Sequence, residues 1–327
     1  MATRPPAADI TPEFGQAEWN DHLADHVASR AREWLAEDLG HECDWTSVAT
    51  VDPAAVARLD VVCRRPGVIA GLAAGAIVSG VADDRLEWRP RVADGAVVAD
   101  GTVVATLSGA TRSILAVERV LLNMIGRMSG VATATRQLVD AVEGTGCRVY
   151  DTRKTVPGWR LLDKLATRLG GGWNHRAGLY DAILIKDNHL AALAAAGHGP
   201  AEAVRRARAF VRQAFPADRA AATLVEVEVD SLDQLAAVLP AAPDIVLLDN
   251  MSLADLARGV AIRDGHGLGE AGRQRRVILE ASGGIRPATV RAVAETGVDR
   301  VSSGWPTHDA PWLDVALDWG RQGPMSP

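Results

Sequence analysis

Six short apolar segments in the second half of the chain alternate with stretches of helical periodicity. They are rich in Val, Ile and Leu with little polar alternation, a pattern typical of strands buried on both faces. The segments are CRVYDT (147–152), AILIKD (182–187), LVEVEV (224–229), DIVLLD (244–249), VILEASG (277–283) and RVSSG (300–304). Since strands that alternate with helices form βαβ units, this half predicts a parallel sheet curved into a barrel or near-barrel.

The first half has a different pattern. Apolar residues recur at helical spacing over 17–39, and Gly40 is a natural stop. The segment 58–68 alternates like a strand, and Asp-Gly pairs at 94–95 and 100–101 separate short Val-rich segments. No GxGxxG follows a first strand, so this half predicts a small mixed α/β layer rather than a dinucleotide-binding fold.

Two further segments connect these patterns. The apolar run 66–82 falls just short of a membrane span and holds four glycines, which favours a strand followed by a helix of small residues. The segment 112–142 carries apolar residues at helical spacing and predicts a long helix with a break near Ser129-Gly130.

Composition and charge narrow the class of protein. The 327 residues are 48% hydrophobic and 23% charged, which is ordinary for a globular chain, and the formal net charge is −6. The absence of a basic stripe makes nucleic acid an unexpected partner, and the absence of a signal sequence or membrane span predicts a cytoplasmic protein. Cys43, Cys63 and Cys147 lack metal spacing and predict three buried thiols.

The basic residues are distributed unevenly. The chain has only three lysines, Lys154, Lys164 and Lys186, and all of them fall within 150–190. Since an ammonium is a compact point charge suited to phosphate oxygens or catalysis, two of these lysines are predicted to do what a guanidinium fork cannot. With Arg153, His175 and Arg176 nearby in sequence, they predict a site for a small polyanion on an acidic protein.

Polar or glycine residues follow each apolar segment, where the active site of a parallel α/β fold lies. These residues are Asp151, Arg153, Lys154, Lys186, Asp187, Glu228, Asp249, Asn250, Ser282, Gly283, Gly284, Ser303 and Gly304. Gly283-Gly284 precedes a helix that begins at Pro287, and with Ser303-Gly304 it resembles the phosphate site that barrels build from their last loops.

Two carboxylates alternate with valines in the third segment. Glu226 and Glu228 share one face of the strand, which is predicted to be the barrel interior. Buried carboxylates need a partner, so Glu226 is predicted to pair with an interior Arg or Lys. Glu228 and Asp249 are candidate Mg²⁺ ligands, but a salt bridge from Glu228 to Lys186 or Lys154 explains the pattern nearly as well.

Long motifs in the chain resemble the quinolinate phosphoribosyltransferase family. They are DTRKTVPGWRLLDK (151–164), GGGWNHRAGLYDAILIKDNH (170–189), VEVEVDSLDQL (225–235), DIVLLDNMS (244–252) and EASGGI (280–285). The similarity extends from EDLG (37–40) to WLDVALDW (312–319).

The resemblance implies a fold and a reaction. The fold is an N-terminal α/β sandwich (1–125 with 310–327) and an incomplete α/β barrel of six or seven strands (126–309), as in type II phosphoribosyltransferases. The reaction is transfer of phosphoribose from phosphoribosyl pyrophosphate to quinolinate with loss of CO2, giving nicotinate mononucleotide in NAD biosynthesis, with Mg²⁺. The resemblance also implies a homodimer with shared active sites, or a higher oligomer built from it.

The resemblance also assigns roles to particular residues. Arg153, His175 and Arg176 would hold the two carboxylates of quinolinate, and Arg119 in ERVLLN would reach the partner's site. Lys154, Lys186, Glu228 and Asp249 would be catalytic, the two carboxylates by binding ribose hydroxyls or metal. The loops with Ser282, Gly283, Gly284, Ser303 and Gly304 would bind the 5-phosphate.

Some features depart from the family pattern and leave alternatives open. Trp305-Pro306 follows Ser303-Gly304 where small residues are usual, HECDW (41–45) replaces a simpler loop, and 262–275 is long and polar. Trp305 admits a ModD-type paralogue that acts on a different acceptor. A Schiff-base aldolase that uses Lys186 and a non-catalytic anion-binding protein are the other classes.

Overall fold

The computed structural model describes residues 13–266 and 276–319, and the chain divides into two compact units. The unit that we call the barrel unit comprises Met1–Gln16, Gln137–Val156 and Gly172–His308. The unit that we call the sandwich unit comprises Ala17–Arg136, Pro157–Gly171 and Asp309–Pro327. The N-terminal residues 1–10 and part of the polar segment 262–275 lie outside the described residues.

The described residues form helices and strands whose bounds are as follows. The helices are α1 (Asp21–Leu39), α2 (Trp45–Thr50), α3 (Leu72–Ala82), α4 (Thr111–Ala141), α5 (Arg160–Leu169), α6 (Asp187–Ala195), α7 (Pro200–Ala214), α8 (Ala217–Ala222), α9 (Leu232–Val238), α10 (Leu253–His266), α11 (Pro287–Glu295) and α12 (Trp305–His308). The strands are β1 (Val56–Cys63), β2 (Gly67–Val68), β3 (Glu87–Pro90), β4 (Val97–Val98), β5 (Val103–Ala110), β6 (Arg148–Tyr150), β7 (Ile183–Ile185), β8 (Val225–Val229), β9 (Ile245–Asp249), β10 (Ile278–Ser282), β11 (Arg300–Ser302) and β12 (Val315–Trp319).

The sandwich unit is built on an antiparallel sheet with the order β12-β1-β5-β3. The predicted first helix is confirmed: the Asn20 side chain caps α1 by accepting from the Leu23 amide, and Leu23, Val27 and Leu35 are buried one helical turn or two apart. The apolar run 66–82 forms β2 and α3, as predicted. Among the described residues, no helix is both long and apolar enough to cross a bilayer.

Helix α4 is continuous from Thr111 to Ala141, so the predicted break near Ser129-Gly130 was wrong. Both residues serve packing instead. The Ser129 hydroxyl accepts from the Ala70 amide at 2.9 Å. A Cβ on Gly130 would lie 2.5 Å from the Pro311 carbonyl oxygen, so this glycine allows close approach of the C-terminal segment to the helix.

The barrel unit contains a parallel six-stranded sheet with the order β6-β11-β10-β9-β8-β7. All six predicted strands are confirmed. Beyond β6, Trp173 forms a further parallel bridge with Tyr150, which extends an open barrel. Val225, Val227 and Val229 are buried in the apolar core that includes residues of α7, α9 and α10, which leaves the other face of β8 to the glutamates, as predicted.

The cysteine prediction was only partly right. Cys63 and Cys147 are buried, and burial raises the pKa of the Cys63 thiol to about 11. Cys43 is exposed, because it lies in the polar turn that precedes the short helix α2 rather than in a core.

Candidate functional site

The polar strand ends of the barrel unit lie at one edge of its sheet. Ser282 is in register with Asp249 on one side and with Ser302 on the other, so β9, β10 and β11 end at the same level. Since all the strands are parallel, the residues that follow them emerge on the same side. The topology therefore gathers the predicted strand-end residues at the C-terminal edge of the barrel.

The segment 174–176 is fixed by a buried carboxylate from the end of β6. Asp151 is 2% exposed, and its two oxygens accept from the Asn174 side-chain amide at 2.9 Å and the His175 backbone amide at 2.7 Å. The Arg176 amide donates to His175 Nδ1 at 2.8 Å. This segment carries two of the predicted anion-binding residues to the end of β6.

Two like charges are held close together at this edge. Arg176 is buried and donates from Nη1 to the Ala182 carbonyl at 3.2 Å. Burial, and after it the positive charge of Arg153, lowers the pKa of Arg176. The Nε atoms of Arg153 and Arg176 are buried without a hydrogen-bond partner among the described residues. Two neighbouring guanidinium groups with unused donors form a site for an anion.

His175 faces the barrel interior. Its Nε2 atom lies 3.0 Å from a Glu226 oxygen and 3.7 Å from a Glu280 oxygen, and Nδ1 accepts from the Arg176 amide. Both ring nitrogens therefore face protein atoms, and a proton on Nε2 can be donated to Glu226. Glu226 thus contacts an imidazole, which the sequence did not predict, and the charge of an interior arginine, Arg300, also acts on it, as predicted.

The interior carboxylates perturb one another. Burial and the charge of Glu226 raise the pKa of Glu280 to about 7. Burial alone lowers the pKa of His175, but Glu226 and Glu280 outweigh it and raise the pKa above its ordinary value. One ligand atom from each of these three groups lies within 4.8 Å of the others, which is metal-ligand spacing. The charge of buried Arg300 also acts on both glutamates, so these groups balance as an internal ion network.

A second set of carboxylates lies nearer the mouth of the barrel. The Lys186 ammonium lies 2.7 Å from a Glu228 oxygen, which is the salt bridge that the sequence left open as an alternative to a metal site. Glu228 and Asp249 both line a cavity of about 440 Å³. Other oxygen-bearing side chains on its wall are Asp187, Asn188, Asp230 and Gln234. Hard oxygen donors of this kind suit Mg²⁺, so the donor chemistry fits that ion.

Lys154 lies against the loop that follows β11. Its carbonyl oxygen accepts from the Thr307 hydroxyl at 2.7 Å. A Cβ on Gly304 would lie 2.9 Å from His308 Nε2 and 3.3 Å from Lys154 Cδ. Gly304 thus lets the side chains of a lysine and a histidine approach the same loop.

The loop after β10 has the backbone that its glycines predict. Gly283 and Gly284 have φ values of 102° and 61°, and α11 begins at Pro287. A Cβ on Gly283 would lie 2.1 Å from Asn250 Oδ1. Asn250, itself left-handed with φ 53°, donates from Nδ2 to an Asp249 oxygen at 2.8 Å. The ends of β9 and β10 are therefore packed through one asparagine.

Trp305, the main departure from the family pattern, does not fill this loop. Its ring packs against the apolar core that contains Val290 and Val301, and its amide donates to the Ser303 hydroxyl at 3.2 Å. The Ser303 hydroxyl in turn donates to the Ile285 carbonyl at 2.8 Å. The bulky ring is therefore accommodated by packing against the apolar core.

Arg119 lies in the sandwich unit, on α4, and not among the strand ends of the barrel unit. Its side chain is 64% exposed and lines a cavity of about 260 Å³. The aromatic residues of that cavity are Trp34, Trp159 and Trp312. Its position leaves the guanidinium available at a surface.

Several residues at the site carried no local signal in the sequence. Glu13, Phe14 and Gln16 contact residues of their own barrel unit that lie more than 130 positions later in the chain, which no periodicity reports. Glu280 was detectable in principle, because VILEASG places one carboxylate inside an otherwise apolar strand. Arg300 opens β11, where a charged residue usually remains at the surface.

Comparisons with known proteins agree with the motifs. The model of the quinolinate phosphoribosyl transferase C-terminal domain matches residues 131–318, and that of the N-terminal domain matches residues 44–129. A nicotinate-nucleotide pyrophosphorylase [carboxylating] of Mycobacterium leprae is 42% identical over 90% of this chain and 97% of its own. A probable enzyme of the same name from Synechocystis is 38% identical over 88% and 90% of the two chains.

A solved structure supports the same relationship. The nicotinate-nucleotide pyrophosphorylase of Francisella tularensis superposes with a TM-score of 0.81 at 34% identity. The superposition covers 94% of this chain and 99% of that one. The α/β sandwich and open barrel predicted from the sequence are therefore the architecture of the chain.

Proposed function

The chain belongs to the quinolinate phosphoribosyltransferase family, and we propose that it transfers phosphoribose from phosphoribosyl pyrophosphate to quinolinate with decarboxylation. The products are nicotinate mononucleotide, pyrophosphate and CO2, and the enzyme is a pentosyltransferase of NAD biosynthesis.

The pair Arg153 and Arg176 carries this proposal. Their neighbouring charges repel each other, and each has a buried Nε donor without a protein partner among the described residues. A dianion at this position would relieve the repulsion and accept these hydrogen bonds. Quinolinate carries two carboxylates on adjacent ring carbons, so it matches two adjacent guanidinium groups. In this proposal His175 positions Arg176 by accepting a hydrogen bond from its amide, and neither imidazole nitrogen is free to bind the ligand.

Phosphoribosyl pyrophosphate would occupy the neighbouring strand ends. The loops with Gly283-Gly284 and Ser303-Gly304 are the proposed 5-phosphate site, because their backbone lacks side chains where an anion must approach. Lys154, beside Gly304, and Lys186, beside Glu228, supply positive charge for the pyrophosphate.

Glu228 and Asp249 are the proposed ligands of the ribose hydroxyls or of Mg²⁺. They line one oxygen-rich cavity, and Asn250 holds the Asp249 carboxylate in place. Magnesium bound there would supply charge neutralisation for the departing pyrophosphate. Lys186 would pair with Glu228 in the absence of substrate and stay within reach of the leaving group.

The reaction follows from these positions. The quinolinate nitrogen attacks the anomeric carbon, and the bond from that carbon to the pyrophosphate oxygen breaks, so the electron pair leaves with pyrophosphate. Arg153 and Arg176 hold the ring in line with the anomeric carbon, which removes much of the entropic barrier. Fixed cations stabilise the charge that develops on the leaving group.

Decarboxylation needs no further group. The alkylated ring nitrogen is cationic, so the carbanion that remains after the adjacent carboxylate leaves as CO2 is stabilised by the charge beside it. A proton from solvent then completes nicotinate mononucleotide. The protein contributes by holding the second carboxylate, which is retained in the product.

The geometry speaks against a Schiff-base aldolase. A Schiff-base lysine must be free to attack a carbonyl carbon, yet Lys186 Nζ lies 2.7 Å from a Glu228 carboxylate oxygen and is engaged by that ion pair. An aldolase would also leave Arg153 and Arg176 without a role.

We further propose that the enzyme works as a homodimer in which Arg119 reaches the partner's site. Its exposure and its aromatic cavity support an intermolecular role. Mixing inactive Arg119→Ala with inactive Lys186→Ala protein would restore part of the activity, whereas a mixture that stays inactive would oppose a shared site.

A product assay tests the reaction. Phosphoribosyl pyrophosphate and Mg²⁺ are supplied with quinolinate, nicotinate or nicotinamide, and mononucleotide, pyrophosphate and CO2 are measured. We expect product from quinolinate alone, with stoichiometric CO2. Product from nicotinate, or none from quinolinate, would overturn the assignment and favour a paralogue with a different acceptor.

A further inference from the structure

We infer that the N-terminal segment Glu13–Gln16, which precedes both regions matched by the family models, is a positioning element for the quinolinate site, a role that rests on the function proposed above. This segment belongs to the barrel unit, while Ala17 already belongs to the sandwich unit. It contacts the loop that carries His175 and Arg176.

Gln16 pairs with the backbone of Asn174 in both directions. Its Nε2 atom donates to the Asn174 carbonyl at 3.1 Å, and its Oε1 atom accepts from the Asn174 amide at 2.8 Å. The Nε2 atom also donates to the Phe14 carbonyl at 2.8 Å, which ties the segment to itself. The Gln16 side-chain amide thus makes the two hydrogen bonds to the Asn174 backbone that a neighbouring strand would otherwise make.

Phe14 supports the histidine ring. It is 5% exposed, and its ring stacks on His175 with centroids 4.3 Å apart and planes 26° apart. Because His175 Nδ1 accepts from the Arg176 amide, a shift of the imidazole moves the backbone of Arg176. Phe14 therefore acts on the anion site through one intermediate residue.

Glu13 anchors the segment to β6. One carboxylate oxygen accepts from the Tyr150 hydroxyl at 2.6 Å, and the other accepts from Arg148 Nη1 at 2.5 Å. Arg148 stacks over Trp173 at 4.2 Å, directly before the loop. The segment is consequently joined to both ends of the route from β6 to Arg176.

This arrangement predicts an effect on one substrate only. Asp151 still holds Asn174 and His175 when the segment is weakened, so the loop survives but Arg176 becomes less well fixed. Of the groups proposed for phosphoribosyl pyrophosphate, only Lys154 follows β6, while Lys186, Glu228, Asp249 and the two glycine loops lie on or after β7 to β11. A positioning role therefore raises the quinolinate KM and leaves the phosphoribosyl pyrophosphate KM unchanged, whereas a general loss of stability would change both.

The test compares Gln16→Ala and Phe14→Leu with matched changes elsewhere in the barrel unit. Gln137→Ala on α4 removes an exposed glutamine, and Phe210→Leu on α7 alters a phenylalanine that is 54% exposed. For Gln16→Ala and Phe14→Leu we expect a rise of about tenfold in the quinolinate KM, well below the effect of losing a direct contact. Both controls should match the wild-type protein.

Hydrogen exchange provides a readout that does not depend on activity. Amides of residues 174–176 should exchange faster in Gln16→Ala and Phe14→Leu than in the controls. Unchanged exchange and unchanged quinolinate KM, or an equal rise in both KM values, would overturn the inference. If the wild-type protein makes no product from quinolinate, the proposed function is wrong. The exchange data would still decide whether the segment orders the loop.

Discussion

Glu280 shows how one buried side chain links the fold to the site. It occupies the middle of β10 inside the barrel, in register with Arg300, and shares the interior with His175 and Glu226. The sequence predicted an inward-facing Glu226 because the valines around it fix the strand face. It could not predict the partner, since His175 enters through a loop rather than through a strand with a readable period.

Replacing Glu280 by Gln tests the electrostatics of this interior. The folded-state pKa of about 7 lies above that of an unfolded glutamate, so ionising Glu280 costs stability as the pH rises from about 4.5 towards 7. The raised pKa of His175 acts in the same direction, because its contribution is present at low pH and is lost as the pH rises. Glu280→Gln removes the first effect and the part of the second that the Glu280 charge causes, and both changes act in the same direction.

Urea unfolding at pH 5 and pH 8 measures the difference. The difference in the free energy of unfolding between Glu280→Gln and wild type should be more favourable to the variant at pH 8 than at pH 5, by up to about 3 kcal/mol. The isosteric amide keeps the shape, so packing changes cancel between the two pH values. A stability difference that is the same at both pH values, or that reverses, would contradict the raised pKa.

At the scale of elements, the strands and their terminal loops were the predictable part. Six apolar segments became six strands because burial on both faces leaves a continuous hydrophobic run that local sequence reports. Ser129-Gly130 led to the wrong prediction of a helix break, because small residues also occur where another segment packs closely on a helix. The contacts of Glu13–Gln16 could not be predicted from the sequence, because they are made with residues more than 130 positions away.

The loop after β10 offers a matched pair of glycine substitutions. Gly283 and Gly197 both have left-handed backbones, with φ values of 102° and 78°. A Cβ meets the Asn250 side chain at Gly283, whereas nothing lies within 4 Å at Gly197. Alanine at either position costs about 1–2 kcal/mol of backbone strain. Only Gly283→Ala should also displace Asn250 and, through it, Asp249.

Steady-state kinetics and thermal unfolding separate the two effects. Gly283→Ala should lower kcat/KM for phosphoribosyl pyrophosphate by about tenfold or more, while Gly197→Ala loses a similar amount of stability and keeps its kinetics. Equal kinetics in the two variants would show that the Asn250 contact does not position Asp249, the proposed ligand of ribose or metal.

At the scale of the whole molecule, an acidic chain concentrates cations at the end of one barrel. The net charge is −6, yet Arg153, Arg176, Lys154 and Lys186 all follow strands or loops at the same edge. Family models and relatives cover most of the chain, so the architecture was accessible from long motifs. The charge repulsion between Arg153 and Arg176 could not be predicted from the sequence, because it depends on how deeply each side chain is buried.

Calorimetric titration of quinolinate tests the central claim, which is that this arginine pair binds the dicarboxylate. Wild type, Arg153→Ala and the control Arg205→Ala are compared, since Arg205 forms an exposed ion pair on α7. We predict saturable binding to wild type and Arg205→Ala, binding about 100-fold weaker to Arg153→Ala, and undiminished thermal stability of that variant. Equal quinolinate affinity in wild type and Arg153→Ala would contradict the account.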